Sequence, residues 1–213
     1  MNNNKDRLDL LEQRLKTRQP HILDHEFFHK SAVLIPMMSV EGEMHILFEV
    51  RSHQLRRQPG EICFPGGRVD AADNSMQDTA IRETCEELGI QENQVEVIAA
   101  LDFLPLAHHS IVYPFAGCIN HETQMTPNPE EVAEVFSVPI QHFLEHEPER
   151  YDLHLIPEPE ENFPYHLIPK GEKYDWRKAS LPEYFYYYQD YVIWGLTARI
   201  LRHFVDLYKT AMD

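Results

Sequence analysis

Residues 51–90 read RSHQLRRQPGEICFPGGRVDAADNSMQDTAIRETCEELGI, and the second half of this stretch predicts one helix over about residues 76–88. Asp73, Asn74 and Ser75 each offer a side-chain oxygen to the first free amides of a helix, and Gly89 suits the left-handed residue after its last turn. At about 100° per residue Ile81, Cys85 and Leu88 share the face expected to pack, while Glu83, Glu86 and Glu87 spread over the opposite one. Arg82 stands one turn before Glu86, where a guanidinium can orient that carboxylate through a charge-assisted hydrogen bond. Carboxylates so close repel one another unless a cation sits among them, and hard divalent ions prefer oxygen ligands. A solvated acidic helix face is the plain alternative.

The loop upstream weighs against that alternative. Phe64-Pro65-Gly66-Gly67 comes shortly before the helix, and paired glycines let backbone approach a metal or phosphate closely. Together these residues resemble the box of the Nudix hydrolases, G-x5-E-x7-R-E-U-x-E-E-x-G-U with U a bulky aliphatic residue. Arg82, Glu83, Glu86, Glu87, Gly89 and Ile90 match its helical half. Two positions depart: the upstream half fits only as Gly67-x5-Asp73 with one extra residue before Arg82, and Thr84 stands where an aliphatic residue is usual. Arg51-Ser52-x3-Arg56-x3-Gly60-x3-Phe64-Pro65-Gly66-Gly67 is also similar to the additional motif of the coenzyme A pyrophosphatase branch. Of that motif's usual opening, L-L-T-x-R, Leu47-Phe48-Glu49-Val50-Arg51 keeps only the first and last positions.

The resemblance implies an α/β/α sandwich around a mixed sheet, and an enzyme that hydrolyses a nucleoside diphosphate linked to another moiety. It implies Mg²⁺ or Mn²⁺ held by Glu83, Glu86, Glu87 and the Gly67 carbonyl, with Arg82 beside them. Glu83 or an acid from a later loop would take the proton from water. For that acid the run Asn128-Pro129-Glu130-Glu131-Val132-Ala133-Glu134 is suitably placed, with Glu131 first and Glu130 and Glu134 behind it. Arg51, Arg56, Gly60, Phe64, Gly66 and Arg68 are the expected substrate-binding positions, Arg51 or Arg56 being candidates for the 3′-phosphate of coenzyme A. The substrate would be coenzyme A or a thioester. Another nucleoside diphosphate derivative (ADP-ribose, NADH or a dinucleoside polyphosphate) is the alternative, and a sensor without turnover is a third reading.

Composition narrows the partners. A formal charge of −16 argues against nucleic acid as a ligand. Four arginines (51, 56, 57, 68) and one acid, Glu61, lie between Arg51 and Arg68, a local basic excess suited to a small anion. Hydrophobic residues at 43% exclude a wholly disordered chain. Cys63, Cys85 and Cys118 are widely spaced, without metal spacing or an even disulfide set. With no apolar run of membrane-spanning length and no secretory leader, the expectation is a soluble cytoplasmic protein with no membrane partner.

The 213 residues are expected to form one domain, with 1–30 as an N-terminal helical extension and 145–183 as a Pro/Glu-rich excursion. Leu8, Leu11 and Leu15 predict an amphipathic helix laid on the domain. Residues 32–36 and 44–50 read as a hairpin turning at 41–43, and 95–101 and 111–119 as further strands. His108 and His109 lie between those strands, either as catalytic candidates or as ordinary loop histidines. The 145–183 segment reads as an exposed hairpin or ordered excursion that encloses substrate or makes a homodimer contact. Tyr184 to Tyr188 suit a strand with alternate rings in the core, and Ile193, Leu196, Ile200, Phe204 and Leu207 a closing helix.

Overall fold

A computed structural model describes residues 3–107, 109–120 and 122–212, so His108 lies outside the described residues. In chain order come α1 (Asn3–Lys16), β1 (His29–Val40), β2 (Glu43–Arg51), β3 (Ile62–Cys63), β4 (Gly66–Arg68) and α2 (Met76–Leu88). After these follow β5 (Val95–Ala100), β6 (Leu104–Leu106), β7 (Ser110–Ile119), β8 (Val132–Pro139) and α3 (Ile140–Glu145). The chain closes with β9 (Glu149–Leu155), β10 (Ala179–Tyr188), β11 (Tyr191–Trp194) and α4 (Gly195–Met212). The β1–β2 hairpin turns at Glu41 and Gly42, both with positive φ (53° and 89°), a two-residue geometry whose twist matches the flanking strands.

The main sheet runs β3-β2-β1-β7-β5, with β4 also on β1, β6 on β7 and β8 on β2. Its β1–β7 pair is parallel and its other pairs are antiparallel, so the sheet is mixed. Side-chain alternation along β1 decides the layers. Ala32 and Leu34 meet Ala80 of α2 on one face, while Ile35 and Met37 join Ala198, Leu201 and Phe204 of α4 on the other. Helices therefore cover both faces, which is the expected α/β/α sandwich.

A second, antiparallel sheet runs β11-β10-β9. Its inner face puts Tyr184, Tyr186 and Ile193 into the same core as Ile46, Phe48 and Phe143. Phe48 and Phe143 are fully enclosed, each contributing roughly 1.5–3 kcal/mol of burial. The expected exposed hairpin is thus β9 paired with β10, and the alternation of the tyrosines holds, with Tyr187 on the exposed side.

Two expectations need correction. Helix α1 forms, but Leu8, Leu11 and Leu15 remain more than half exposed, so it is not laid on the domain. Ile193 belongs to β11, because the chain turns at Gly195 (φ 65°), the residue where α4 begins, and Leu207 is exposed. The packed face of α4 is instead Thr197, Ala198, Ile200, Leu201, Phe204 and Val205.

Candidate active site

Helix α2 begins where Ser75 Oγ accepts the Asp78 N–H (3.1 Å) and ends at Gly89, which is left-handed (φ 63°). Its packed face differs from the sequence expectation. The buried residues are Thr79, Ala80, Thr84, Glu87 and Leu88, whereas Ile81 and Cys85 are only half-buried. Thr84 fits the apolar position because its hydroxyl donates to the Ala80 carbonyl at 2.7 Å, leaving its methyl to pack. Glu87 is therefore not on a solvent face. It lies under the glycine loop, accepting the Gly66 N–H at 2.7 Å.

Arg82 organises the acids around it. Its Nη1 donates to Glu83 (3.0 Å) and to Glu86 (3.1 Å), the latter being the expected one-turn pair, and its Nη2 reaches the Arg68 carbonyl (3.2 Å). Nε and Nη2 grip both oxygens of Asp73 at 2.9 and 3.0 Å. Asp73 also accepts from Thr79 Oγ1 (2.7 Å) and from the Asp70 N–H (2.8 Å). The extra residue before Arg82 is thus taken up in the turn at 70–75, and the carboxylate still arrives.

The Arg82 hydrogen bond, followed by those from Asp70 and Thr79, holds the Asp73 carboxyl well below the usual range. A depressed folded value means that the pair stabilises the fold above the ordinary aspartate value of 3.8, and that this contribution drains away as pH falls below it. Asp73→Asn should therefore lower Tm at pH 7 and lower it less at pH 3, where part of the contribution is already lost. Thermal melts showing the same gap at both pH values would remove Asp73 from this role.

Gly66 and Gly67 pair with Val33 and Ala32 across the β4–β1 ladder. A Cβ on Gly67 would overlap the Glu83 carboxylate, so the glycine is the cradle in which that carboxylate rests. Beneath lies Glu49 of β2, fully buried, with one oxygen accepting Cys63 Sγ–H at 3.2 Å and the other unpartnered among the described residues. Burial pushes Glu49 up to about 7, and burial followed by the charge of Glu49 pushes Glu87 up to about 9. Glu83 is also raised, chiefly by burial.

The segment after β7 docks on the end of α2: the Thr126 N–H donates to the Leu88 carbonyl (3.0 Å) and the Asn128 N–H to the Glu87 carbonyl (2.9 Å). The Ser52 N–H then takes the Glu131 carbonyl at 2.7 Å. So anchored, Glu131 adds its charge to those acting on Glu49, Glu83 and Glu87. Glu130 is exposed, and Glu134 is engaged by the Tyr191 hydroxyl.

Beside the carboxylates opens a cleft of about 370 Å³. Arg51, Arg57, Arg68, Phe64, Gly66 and Gly67 line one side, and Leu196 and Thr197 of α4 another. Arg56 is exposed and not among its lining residues, and Gly60 serves the arginine loop itself, its N–H donating to the Arg51 carbonyl at 3.0 Å.

The NUDIX domain family matches residues 28–157, a span that holds the carboxylates, Arg82 and the glycine loop. The chain belongs to the NUDIX domain family. Mouse peroxisomal coenzyme A diphosphatase NUDT7 is 41% identical over 128 residues, covering 60% of this chain and 52% of that protein. Human mitochondrial coenzyme A diphosphatase NUDT8 is 39% identical over 124 residues, covering 57% and 52%. An uncharacterized Nudix hydrolase NudL from Photorhabdus laumondii is 32% identical over 171 residues, covering 80% of each chain. The matched region thus spans about half the length of the two named diphosphatases.

Nudix hydrolases generally need divalent metal ions. Among the described residues no three His, Cys, Asp or Glu side chains form a ready-made metal cluster. The donor set nevertheless fits a hard cation. Its groups are carboxylates, the unpartnered Glu49 oxygen lies buried beneath them, and their crowding disfavours the ionised forms unless positive charge is supplied. Sequence reading missed Glu49. The available signal was strand alternation: residue 49 shares a face with Leu47, which packs against Leu88 of α2.

Proposed function

We propose that this Nudix chain hydrolyses the pyrophosphate bond of coenzyme A or its thioesters, giving 3′,5′-ADP and 4′-phosphopantetheine or its acyl derivative. The observation that carries the reading is that Glu83 and Glu87 lie against the Gly66-Gly67 loop, which itself lines an arginine-rich cleft, with Glu86 joined to Glu83 through Arg82. Two relatives named as coenzyme A diphosphatases support the choice of substrate. Glu83, Glu86, Glu87 and the Gly67 carbonyl would hold Mg²⁺ or Mn²⁺, which when bound supplies Lewis-acid polarisation of the phosphoryl oxygens. Arg51, Arg57 and Arg68 neutralise and orient the anionic substrate, and Arg82 fixes the direction of Glu83 and Glu86. Glu131 or Glu83 accepts the proton of the attacking water.

Incubating the protein with coenzyme A, ADP-ribose, NADH and diadenosine polyphosphates, with either ion, tests this directly. Mass identification of 3′,5′-ADP and phosphopantetheine as the favoured products is expected. Preferred turnover of another member moves the substrate, and no turnover of any of them leaves a binding module. Glu131→Gln should slow the favoured reaction by about 10-fold or more and flatten one limb of its pH profile. An unchanged rate and profile transfer the proton to Glu83.

We also take residues 1–213 as one domain, since both sheets feed one core. A homodimer contact is proposed on the outer face of the second sheet, where Tyr151, Leu153, Leu155, Tyr187, Val192 and Trp194 are exposed together. The 25.1 kDa chain should then run at twice its mass in light scattering, and Leu153→Lys with Tyr187→Lys should halve that mass. A wild-type monomer removes the contact. No helix among the described residues is long and apolar enough to cross a membrane, and three free cysteines suit a reducing compartment such as the cytoplasm.

A further inference from the structure

The cleft has a neighbour along α4. The cleft's lining includes Val33 of β1, Leu106 of β6 and Val112 of β7, with Leu196 and Thr197 as its helix wall. A separate pocket of about 230 Å³ is lined by the next residues on β6, β7 and α4: Leu104, Pro114, Arg199, Ile200 and His203. Backbone pairing joins the two. Val112 of the cleft lies opposite Leu104 of the pocket in the β6–β7 ladder, and Val33 lies opposite Pro114 in the β1–β7 ladder. Leu104 and Leu106, like Val112 and Pro114, are two residues apart and leave the same face of the sheet. That is the α4 face, where Val33, Leu104, Leu106, Val112 and Ile200 share one core. Leu196, Ile200 and His203 stand at i, i+4 and i+7 on one side of the helix. Two residues of strand advance about 7 Å and four of helix about 6 Å, so both walls run together from cleft to pocket.

We propose that this groove between the β6–β7 ladder and α4 receives the pantetheine arm of the substrate, leaving the phosphates in the arginine-lined cleft. The proposal rests on the coenzyme A reading and names the half of the molecule that the groove selects. Phe103, Leu104, Pro114 and Ile200 make its walls largely apolar. Its polar groups are of both signs: Asp102 lies 3.3 Å from His203 Nε2, and Arg199 forms no ion pair among the described residues. An acid and an arginine lining one small pocket suit neither a further phosphate nor an amine, because one of the two would repel either. They do supply an acceptor and a set of donors, which an uncharged chain of alternating amides and hydrocarbon can use. The helix wall lies wholly beyond residue 157, outside the family match.

The test measures calorimetric binding of 4′-phosphopantetheine, 3′,5′-ADP and inorganic phosphate to wild type, Leu104→Trp and Arg199→Ala. Wild type should bind 4′-phosphopantetheine at least about 10-fold more tightly than inorganic phosphate. Leu104→Trp fills the groove and Arg199→Ala removes its donors. Each should weaken 4′-phosphopantetheine by about 10-fold and 3′,5′-ADP by less than about 2-fold, with kcat/KM for coenzyme A falling alongside. Arg199 is half-buried and outside any ion pair among the described residues, so its variant decides the matter should Leu104→Trp melt early. Equal weakening of both halves, no weakening of either, or a wild type that binds 4′-phosphopantetheine no better than phosphate overturns the groove. If wild type prefers 4′-phosphopantetheine as expected but leaves coenzyme A intact, the proposed activity fails and the groove stands. If both variants hydrolyse coenzyme A at wild-type efficiency, the groove fails and the activity stands.

Discussion

Glu87→Gln should leave the chain folded and lower kcat by at least about 10²-fold. Glutamine has the same shape, and its carbonyl oxygen can still accept the Gly66 N–H now held at 2.7 Å by the carboxylate. No cavity opens, and the Gly66 N–H keeps its acceptor. Burial and Glu49 already oppose the ionised form, so the amide costs the apo protein little while depriving the proposed cation site of an anionic ligand. Turnover measured beside a thermal melt separates the two effects. Near-normal turnover would take Glu87 out of the catalytic set, and a collapsed melt would make it a packing residue.

Gly67→Ala should likewise abolish most activity, by about 10²-fold, with little change in Tm. The added methyl would meet the end of the Glu83 side chain, which can swing away, so the carboxylate moves and the backbone does not. Gly66→Ala is the contrast. Its φ is 152°, and its methyl would meet the Ala32 carbonyl and the Val33 backbone, neither of which can yield without breaking the ladder. The neighbouring glycines should therefore part company, one substitution giving a folded inactive protein and the other an unstable one. Equal melting temperatures for the two variants would show that the close approach at Gly66 is relieved at little cost.

The bounds of α2 were legible because its signals are local: Ser75 at the start, Gly89 at the end, and an arginine one turn before its glutamate. Which face packs was not legible. Counting apolar side chains favoured Ile81 and Cys85, whereas the sheet takes Ala80, Thr84 and Leu88, with a threonine hydroxyl satisfied inside the helix. Glu49 escaped notice because it lies in a strand, far in sequence from the helix and loop it adjoins in space. Asp73 shows the opposite lesson. A fixed residue count put it out of place, yet what Arg82 requires is a carboxylate within reach, and a turn one residue longer supplies it.

The family match ends at residue 157, just beyond β9, but the wall of the cleft does not. Leu196 and Thr197 stand at the start of α4, and the Thr197 hydroxyl donates to the Ile62 carbonyl at 3.1 Å, tying that helix to the strand beside the arginine loop. Tyr186 and Ile193, also beyond the match, share the core with Phe48 and Phe143. A chain truncated at the family boundary would retain every carboxylate and still expose its own core to water. It would also lose one side of the cleft proposed to hold the substrate. Here the unit that closes its own core is larger than the unit that can be recognised.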